Sequence, residues 1–484
     1  MNHQLKVLTA SAEIVPYAKT GGLADVTGAL SGELADAGVP TIMAIPAYPW
    51  LIRERFGDTE YVADLSLPMG GRQVGVSLYK LRVKPLLETW FIRADEYYYR
   101  EGIYGDERGT FGDNAERFAL FSRAILEIAR LGGCGVIHLH DWPAAPCAAM
   151  LRYQPERYPE LAACRTLMTV HNLSYQGRFD GGHRTALELS EPAYYEAFEY
   201  YGDVNFLKAG LVCADRLTTV SPTYAEEIKQ DSGGFGLDGV LRQRAADLSG
   251  IMNGVDYAVW NPATDPWTAC RYSPEDLAGK AECKAALQRE WGLETAPDKP
   301  LVAMVTRLAG GKGLELVMGA GDSLFDDDFQ FAMLGAGERH YEEYFYSLPA
   351  RFPGRVGTRT GFDEALAHRV IAGADILLMP SEREPCGLTQ LYALKYGTVP
   401  VVRRTGGLAD SITSYVPGGQ GTGFVFDHYN VDGLRWALRE ALGRYRQGDE
   451  WRSLMLRCMA ADHSWNRSMA QYLKLYRELT GTGE

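Results

Sequence analysis

The chain has 484 residues, of which 46% are apolar and 23% charged, the proportions of a globular enzyme with room for two large or three ordinary domains. Lys plus Arg number 49 against 62 Asp plus Glu, a formal net charge of −13. That balance argues against the basic face of a nucleic-acid binder and against an anionic membrane surface as partner. It leaves room for an anionic small ligand, because a few cations in one place outweigh distant acidic surface.

Short apolar runs at residues 5–10, 136–140, 166–170 and 217–220 read as strands in the first half, and those at 301–306, 329–334, 376–379 and 399–402 in the second. The runs are near-continuous rather than alternating, as expected of parallel strands covered by helices on both faces. Two such series predict an α/β protein of two Rossmann-like, doubly wound domains facing each other across a cleft. The boundary falls in the turn-rich stretch 253–300, whose tryptophans mark it as an ordered hinge segment. The expected domains are 1–252 and 253–463. Residues 464–484 carry the spacing of an amphipathic helix (Trp465, Tyr472, Leu473, Leu475, Tyr476) that crosses back to the first. The hexapeptide Thr20-Gly-Gly-Leu-Ala-Asp25 recurs as Thr405-Gly-Gly-Leu-Ala-Asp410. Each copy follows a predicted strand and opens a helix, where main-chain N–H groups meet phosphates. Asp25 and Asp410 read as helix-start residues.

Eight cysteines form no CxxC pair and sit mostly in apolar stretches, which reads as reduced thiols in a cytoplasmic protein. No apolar run reaches eighteen residues and the N-terminus has no signal-peptide pattern, so no membrane role is expected.

Ligands of open parallel sheets gather beyond the carboxyl ends of the strands, and polar, Gly-rich clusters follow the predicted strands repeatedly. After the first come Glu13 and Lys19 to Gly22; after the second, His138, His140, Asp141 and Trp142; after the third, His171 and Asn172. In the second half, Arg307 and Lys312 straddle glycines in TRLAGGKGLEL, and Ser381 to Gly387 follow residues 376–379. Two cations on a Gly-rich turn suit a diphosphate whose leaving charge needs stabilisation. There is no GxxxxGK[ST], and no GxGxxG follows a first strand, so neither a P-loop nor a dinucleotide dehydrogenase is indicated. His138 and His140 share a strand face but lack the further ligands of a zinc site, so no metal is expected. Asp326 to Asp328 read as a turn, His138 as a core histidine, and Cys386 as a small residue rather than a nucleophile. Tyr98, within a run of three tyrosines, offers a ring to a glucan acceptor.

At this point the blocks AEIVPYAKTGGLADVTGAL, HLHDWPAA, TVHNLSYQG, MNGVDYAVWNPATD, TRLAGGKGLEL and EPCGLTQLYALKYGTVPVVRRTGGLAD are recognisable together. The sequence resembles bacterial glycogen synthases and plant starch synthases, retaining glycosyltransferases of the glycosyltransferase-B fold, over almost its whole length. The resemblance implies transfer of glucose from ADP-glucose to the non-reducing 4-OH of an α-1,4-glucan primer such as glycogen, with no added cofactor. A UDP-glucose-dependent or oligosaccharide-forming relative is the alternative; an epimerase or a non-catalytic glucan binder accounts for fewer of the residues.

By the resemblance, Glu384, His171, Arg307, Lys312 and Asp141 serve the reaction. Lys19, Thr20, Gly21, Gly22, Asn172, Asn253, Phe362, Cys386, Gly387, Leu388 and Thr389 line the donor. Glu13, Trp142 and Tyr98 are assigned to the acceptor. Three positions depart from the family pattern: Gly311 replaces a glutamine before the loop lysine, Phe362 replaces an adenine-stacking tyrosine, and Tyr392 stands where the wider superfamily has a second glutamate.

Overall fold

The computed structural model describes residues 5–361 and 363–481. The chain divides into two compact units. Unit 1 holds residues up to Val220, then Ala225–Ile251 and the chain from Trp465 onward; unit 2 holds Met252–Ser464 together with Ser221–Tyr224.

Unit 1 is built on a nine-stranded sheet. Seven strands run parallel, in the spatial order Leu248–Gly250, Arg216–Thr219, Arg165–Val170, Val136–His140, Val7–Ala10, Thr41–Pro46 and Leu87–Arg93. Numbered along the chain, that order is 7-6-5-4-1-2-3, doubly wound with its reversal between Val7–Ala10 and Val136–His140. The antiparallel hairpin Glu60–Met69 and Arg72–Lys84 extends the Leu87–Arg93 edge. Its strands are half-exposed and alternate, whereas Val7–Ala10, Thr41–Pro46 and Val136–His140 are buried throughout.

Unit 2 is a six-stranded, all-parallel sheet: Val356–Thr360, Gln330–Gly335, Leu301–Val305, Ile376–Met379, Val399–Arg403 and Phe424–Phe426. This is the 3-2-1-4-5-6 order, and its reversal lies between Leu301–Val305 and Ile376–Met379. Residues 253–300 belong wholly to this unit. Within them Trp260 lies flat between His368 (3.6 Å between ring centres) and Tyr392 (3.8 Å), and Ala278–Glu290 is a helix. Asp265 accepts from His368 Nδ1 at 2.7 Å and from the Tyr396 hydroxyl at 2.5 Å, which pins the segment to the core.

The helix Trp465–Thr480 packs in unit 1. Trp465, Met469, Tyr472, Leu475 and Tyr476 share one buried cluster with Val26, Leu30 and Leu34 of the Gly22–Asp36 helix and with Val7, Val136 and Leu167 of the sheet. All eight cysteines are free thiols, and all but Cys270 are buried. No helix of the described residues is long and apolar enough to cross a membrane.

Candidate functional site

The reversal point of each sheet gathers chemically capable side chains. In unit 1 the chain leaves Val7–Ala10 and folds back on itself around Glu13. Glu13 Oε1 accepts from the Thr20 and Tyr104 hydroxyls, each at 2.8 Å, and Oε2 from the main-chain N–H groups of Thr20 (2.5 Å) and Gly21 (3.3 Å). The Lys19 ammonium lies 2.8 Å from Asp25 Oδ1. The neighbouring strand ends at His140, and Asp141 turns the chain with φ 54°, a left-handed conformation that Asp tolerates better than most residues. Asp141 Oδ1 accepts from the His171 N–H at 2.7 Å, and the Asn172 N–H also reaches the carboxyl. Burial pushes this carboxyl up to about 7, against the pull of those two N–H groups. His140 Nδ1 lies 2.9 Å from His171 Nε2. Burial lowers His171 to about 3 and His140 well below its usual range, so both rings are neutral at pH 7.

In unit 2 the loop after Leu301–Val305 and the loop after Ile376–Met379 meet. Gly311 (φ 82°) and Gly313 (φ 73°) are left-handed, and a Cβ at Gly313 would lie 2.1 Å from the Pro380 carbonyl oxygen. Gly311 in turn offers its carbonyl to the Glu382 N–H at 2.9 Å. This close approach brings Lys312 Nζ to 2.9 and 2.8 Å from the two Glu384 oxygens, and Ser381 Oγ donates to Oε2 at 2.9 Å. Arg307 is exposed on the same loop. Gly407 donates its N–H to the Glu384 carbonyl at 3.0 Å, so the second TGGLAD copy supports this loop. Ser221 Oγ donates to the Pro385 carbonyl at 2.6 Å, and Asp410 accepts from the Thr223 N–H and hydroxyl at 2.8 and 2.7 Å.

The expected residues fall out unevenly. Lys19, Thr20, Gly21, Gly22, Asp141, His171 and Asn172 lie at the unit 1 reversal point. Arg307, Lys312, Glu384, Cys386, Gly387, Leu388 and Thr389 lie on the two facing loops of unit 2, Leu388 preceding the Thr389–Lys395 helix. Asn253 joins them, its N–H groups against the Cys386 sulfur and its Oδ1 buried without a partner among the described residues. Burial pushes the Cys386 thiol up to about 12, which leaves it a poor nucleophile. Phe362 lies outside the described residues.

Several expectations are corrected. Tyr98 is 0% exposed and its hydroxyl donates to the Arg117 carbonyl, so it has no face for an acceptor; Tyr99 is the exposed ring of that run. The Glu13 carboxylate is filled by four donors that shape the Lys19–Gly22 loop, leaving it no lone pair for a glucan. Asp410 holds Thr223 and does not open its helix. Residues 253–300 are part of unit 2's core packing. Trp142 sits among Tyr104, Phe118 and Phe179 in an aromatic cluster of unit 1. His138 is, as expected, a core residue, bonded to the Tyr476 and Thr169 hydroxyls at 2.8 and 2.6 Å. Asp326, Asp327 and Asp328 each face a cation (Arg435, Arg439 and Lys299). Three contributors fall outside the residues that the resemblance assigns: Ser381, Tyr104 and His140. No local pattern marks Tyr104; the i, i+2 spacing of HLH places His140 on a strand face but does not show that His171 lies beside it.

The first half of the chain, residues 6–243, matches the family model of the starch synthase catalytic domain, and residues 289–452 match that of glycosyl transferases group 1. Glycogen synthase from Anaeromyxobacter sp. (strain Fw109-5) is 45% identical over 98% of this chain and 99% of its own. That of Geobacillus stearothermophilus is 41% identical over 98% of each. Among solved structures, the catalytic domain of starch synthase IV from Arabidopsis thaliana, bound to ADP and acarbose, superposes with a TM-score of 0.89. It is 32% identical and covers 99% of both chains. Sucrose-phosphate synthase from Thermosynechococcus elongatus, at 18% identity and TM-score 0.64 over 99% of this chain and 100% of its own, shares the fold.

Two doubly wound units with ligand-type loops at both reversal points define a glycosyltransferase of the glycosyltransferase-B class. Within that class the chain belongs to the glycogen and starch synthase family, enzymes that extend a glucan.

Proposed function

We propose that the chain transfers glucose from ADP-glucose to the non-reducing 4-OH of an α-1,4-glucan, retaining the α configuration and releasing ADP. The observation that carries this reading is the meeting of Lys312 with Glu384 at the sheet reversal of unit 2, the place where such folds take their nucleotides. Lys312 and Arg307 neutralise the departing diphosphate. Glu384 accepts hydrogen bonds from the glucose hydroxyls, and the N–H groups of Cys386 and Gly387, at the start of the Thr389–Lys395 helix, add positive potential. In unit 1 the Lys19–Gly22 loop, His171 and Asn172 face the transferred sugar, with Asp141 holding the last two in place.

Retention without a protein nucleophile fits the way the acidic groups are occupied. Glu13 is filled by four donors, Asp141 holds main-chain N–H groups with its pKa near 7, and Glu384 is paired with Lys312 and Ser381. Attack then comes from the same face the diphosphate leaves, and the leaving phosphate oxygen takes the proton of the acceptor hydroxyl. The protein's part is positioning and charge stabilisation. The adenine preference is supported by likeness to a starch synthase solved with ADP. The test is ADP release from ADP-glucose with and without glycogen primer, with UDP-glucose alongside. Primer-dependent ADP release, with a product cut by α-1,4-specific amylase, is expected. Preference for UDP-glucose, or no primer-dependent release, overturns the assignment.

A further inference from the structure

The contact between His140 and His171 contains more information than its length. A hydrogen bond between two neutral imidazole nitrogens needs one proton, so one ring donates and the other accepts. His140 is fully buried, with Nδ1 2.9 Å from His171 Nε2 and Nε2 without a hydrogen-bond partner among the described residues. If His140 carried its proton on Nε2, that N–H would be stranded in the interior. Orphaned buried N–H groups are rarer than under-used acceptors. The proton therefore sits on His140 Nδ1 and is donated to His171 Nε2.

The consequence passes to His171. Being neutral and accepting at Nε2, it must carry its own proton on Nδ1, which, unlike His140 Nε2, is not a fully buried atom left without a partner among the described residues. Its main chain is gripped at the same time by Asp141, the residue after His140. The two adjacent residues thus set backbone and ring of one histidine. The His138 ring packs 4.0 Å from that of His140, and its own nitrogens are held by Tyr476 and Thr169.

We propose that His140 is a positioning residue that locks His171 as its Nδ1–H tautomer, so that His171 presents a hydrogen-bond donor to an acceptor oxygen of the transferred sugar and not a basic nitrogen. This rests on the reading above that His171 faces that sugar.

Long-range nitrogen–proton NMR correlation on the full chain labelled with imidazole 15N, with His171 assigned by loss of its signals in His171→Gln, reads the tautomer directly. A protonated-type shift on His171 Nδ1 and an unprotonated-type shift on Nε2 are expected; the reverse pattern overturns the proposal. Kinetics supply a second reading. In His140→Asn the side-chain amide can still donate from near the Nδ1 position, and kcat should stay within about three-fold of wild type, whereas His140→Leu should lose about ten-fold, the worth of one misplaced hydrogen bond. Equal impairment of both variants overturns the positioning role and leaves packing alone. Unchanged turnover in His171→Ala overturns the sugar-facing reading by itself, whatever nitrogen pattern the wild type shows.

Discussion

Asp141 shows how one residue ties stability to pH. The residue is 8% exposed, and burial raises its carboxyl to about 7, above the value near 4 of an unfolded chain. Protonation therefore favours the fold: the contribution is fully present below about pH 4 and is lost as pH rises through 7. Asp141→Asn removes this titration. Its stability relative to wild type should rise by about 2–3 kcal/mol between pH 5 and pH 8, measured by denaturant unfolding at the two pH values. Parallel pH profiles would show that the carboxyl is not raised. Side chains of this kind were partly legible in the sequence. Position after a strand pointed to Asp141 and His171, and loop glycines to Lys312. The saturation of Glu13 and the burial of Tyr98 were not legible, because both depend on partners at a distance along the chain: Tyr104 for the first and Arg117 for the second.

Elements read from continuous apolar runs emerged as strands, because a strand covered on both faces has no solvent-facing position to interrupt the run. Glu60–Met69 and Arg72–Lys84 escaped for the opposite reason: their exposed positions break the apolar pattern. The repeated TGGLAD is the instructive case. The first copy follows the first strand of unit 1 and the second follows the fifth strand of unit 2, so they are not equivalent elements. Their second positions differ in surroundings too. A Cβ at Gly407 would lie 2.0 Å from the Cys386 carbonyl oxygen, whereas one at Gly21 would meet nothing within 4 Å. Gly407→Ala should push the Gly406–Ser411 helix off the Glu384 loop, with a loss of about 1–3 kcal/mol in unfolding free energy and a fall in kcat. Gly21→Ala should leave stability within about 0.5 kcal/mol and, on the proposed function, raise the donor KM, since its Cβ would enter space assigned there to the donor. Thermal unfolding and steady-state kinetics on the two variants decide it, and equal destabilisation would refute the distinction.

At the scale of the molecule, both units use the same strand order, so the two candidate clusters occupy matching places in their own sheets. Unit 1 is nevertheless assembled from distant stretches of chain: its core includes Trp465, Met469, Tyr472 and Tyr476, which follow all of Met252–Ser464. Ending the chain after Ser464 should strip unit 1 of its hydrogen-exchange protection at Val7–Ala10 and Val136–His140 while sparing the Leu301–Val305 strand of unit 2. Full protection in unit 1 would show that the helix is dispensable. The same arrangement sets a timetable for synthesis. A ribosome adding about 5–20 residues per second takes roughly 10–40 s to pass from Met252 to Ser464. Throughout that interval the apolar groove of Val26, Leu30 and Leu34 waits open, which makes the nascent chain a natural client for chaperones.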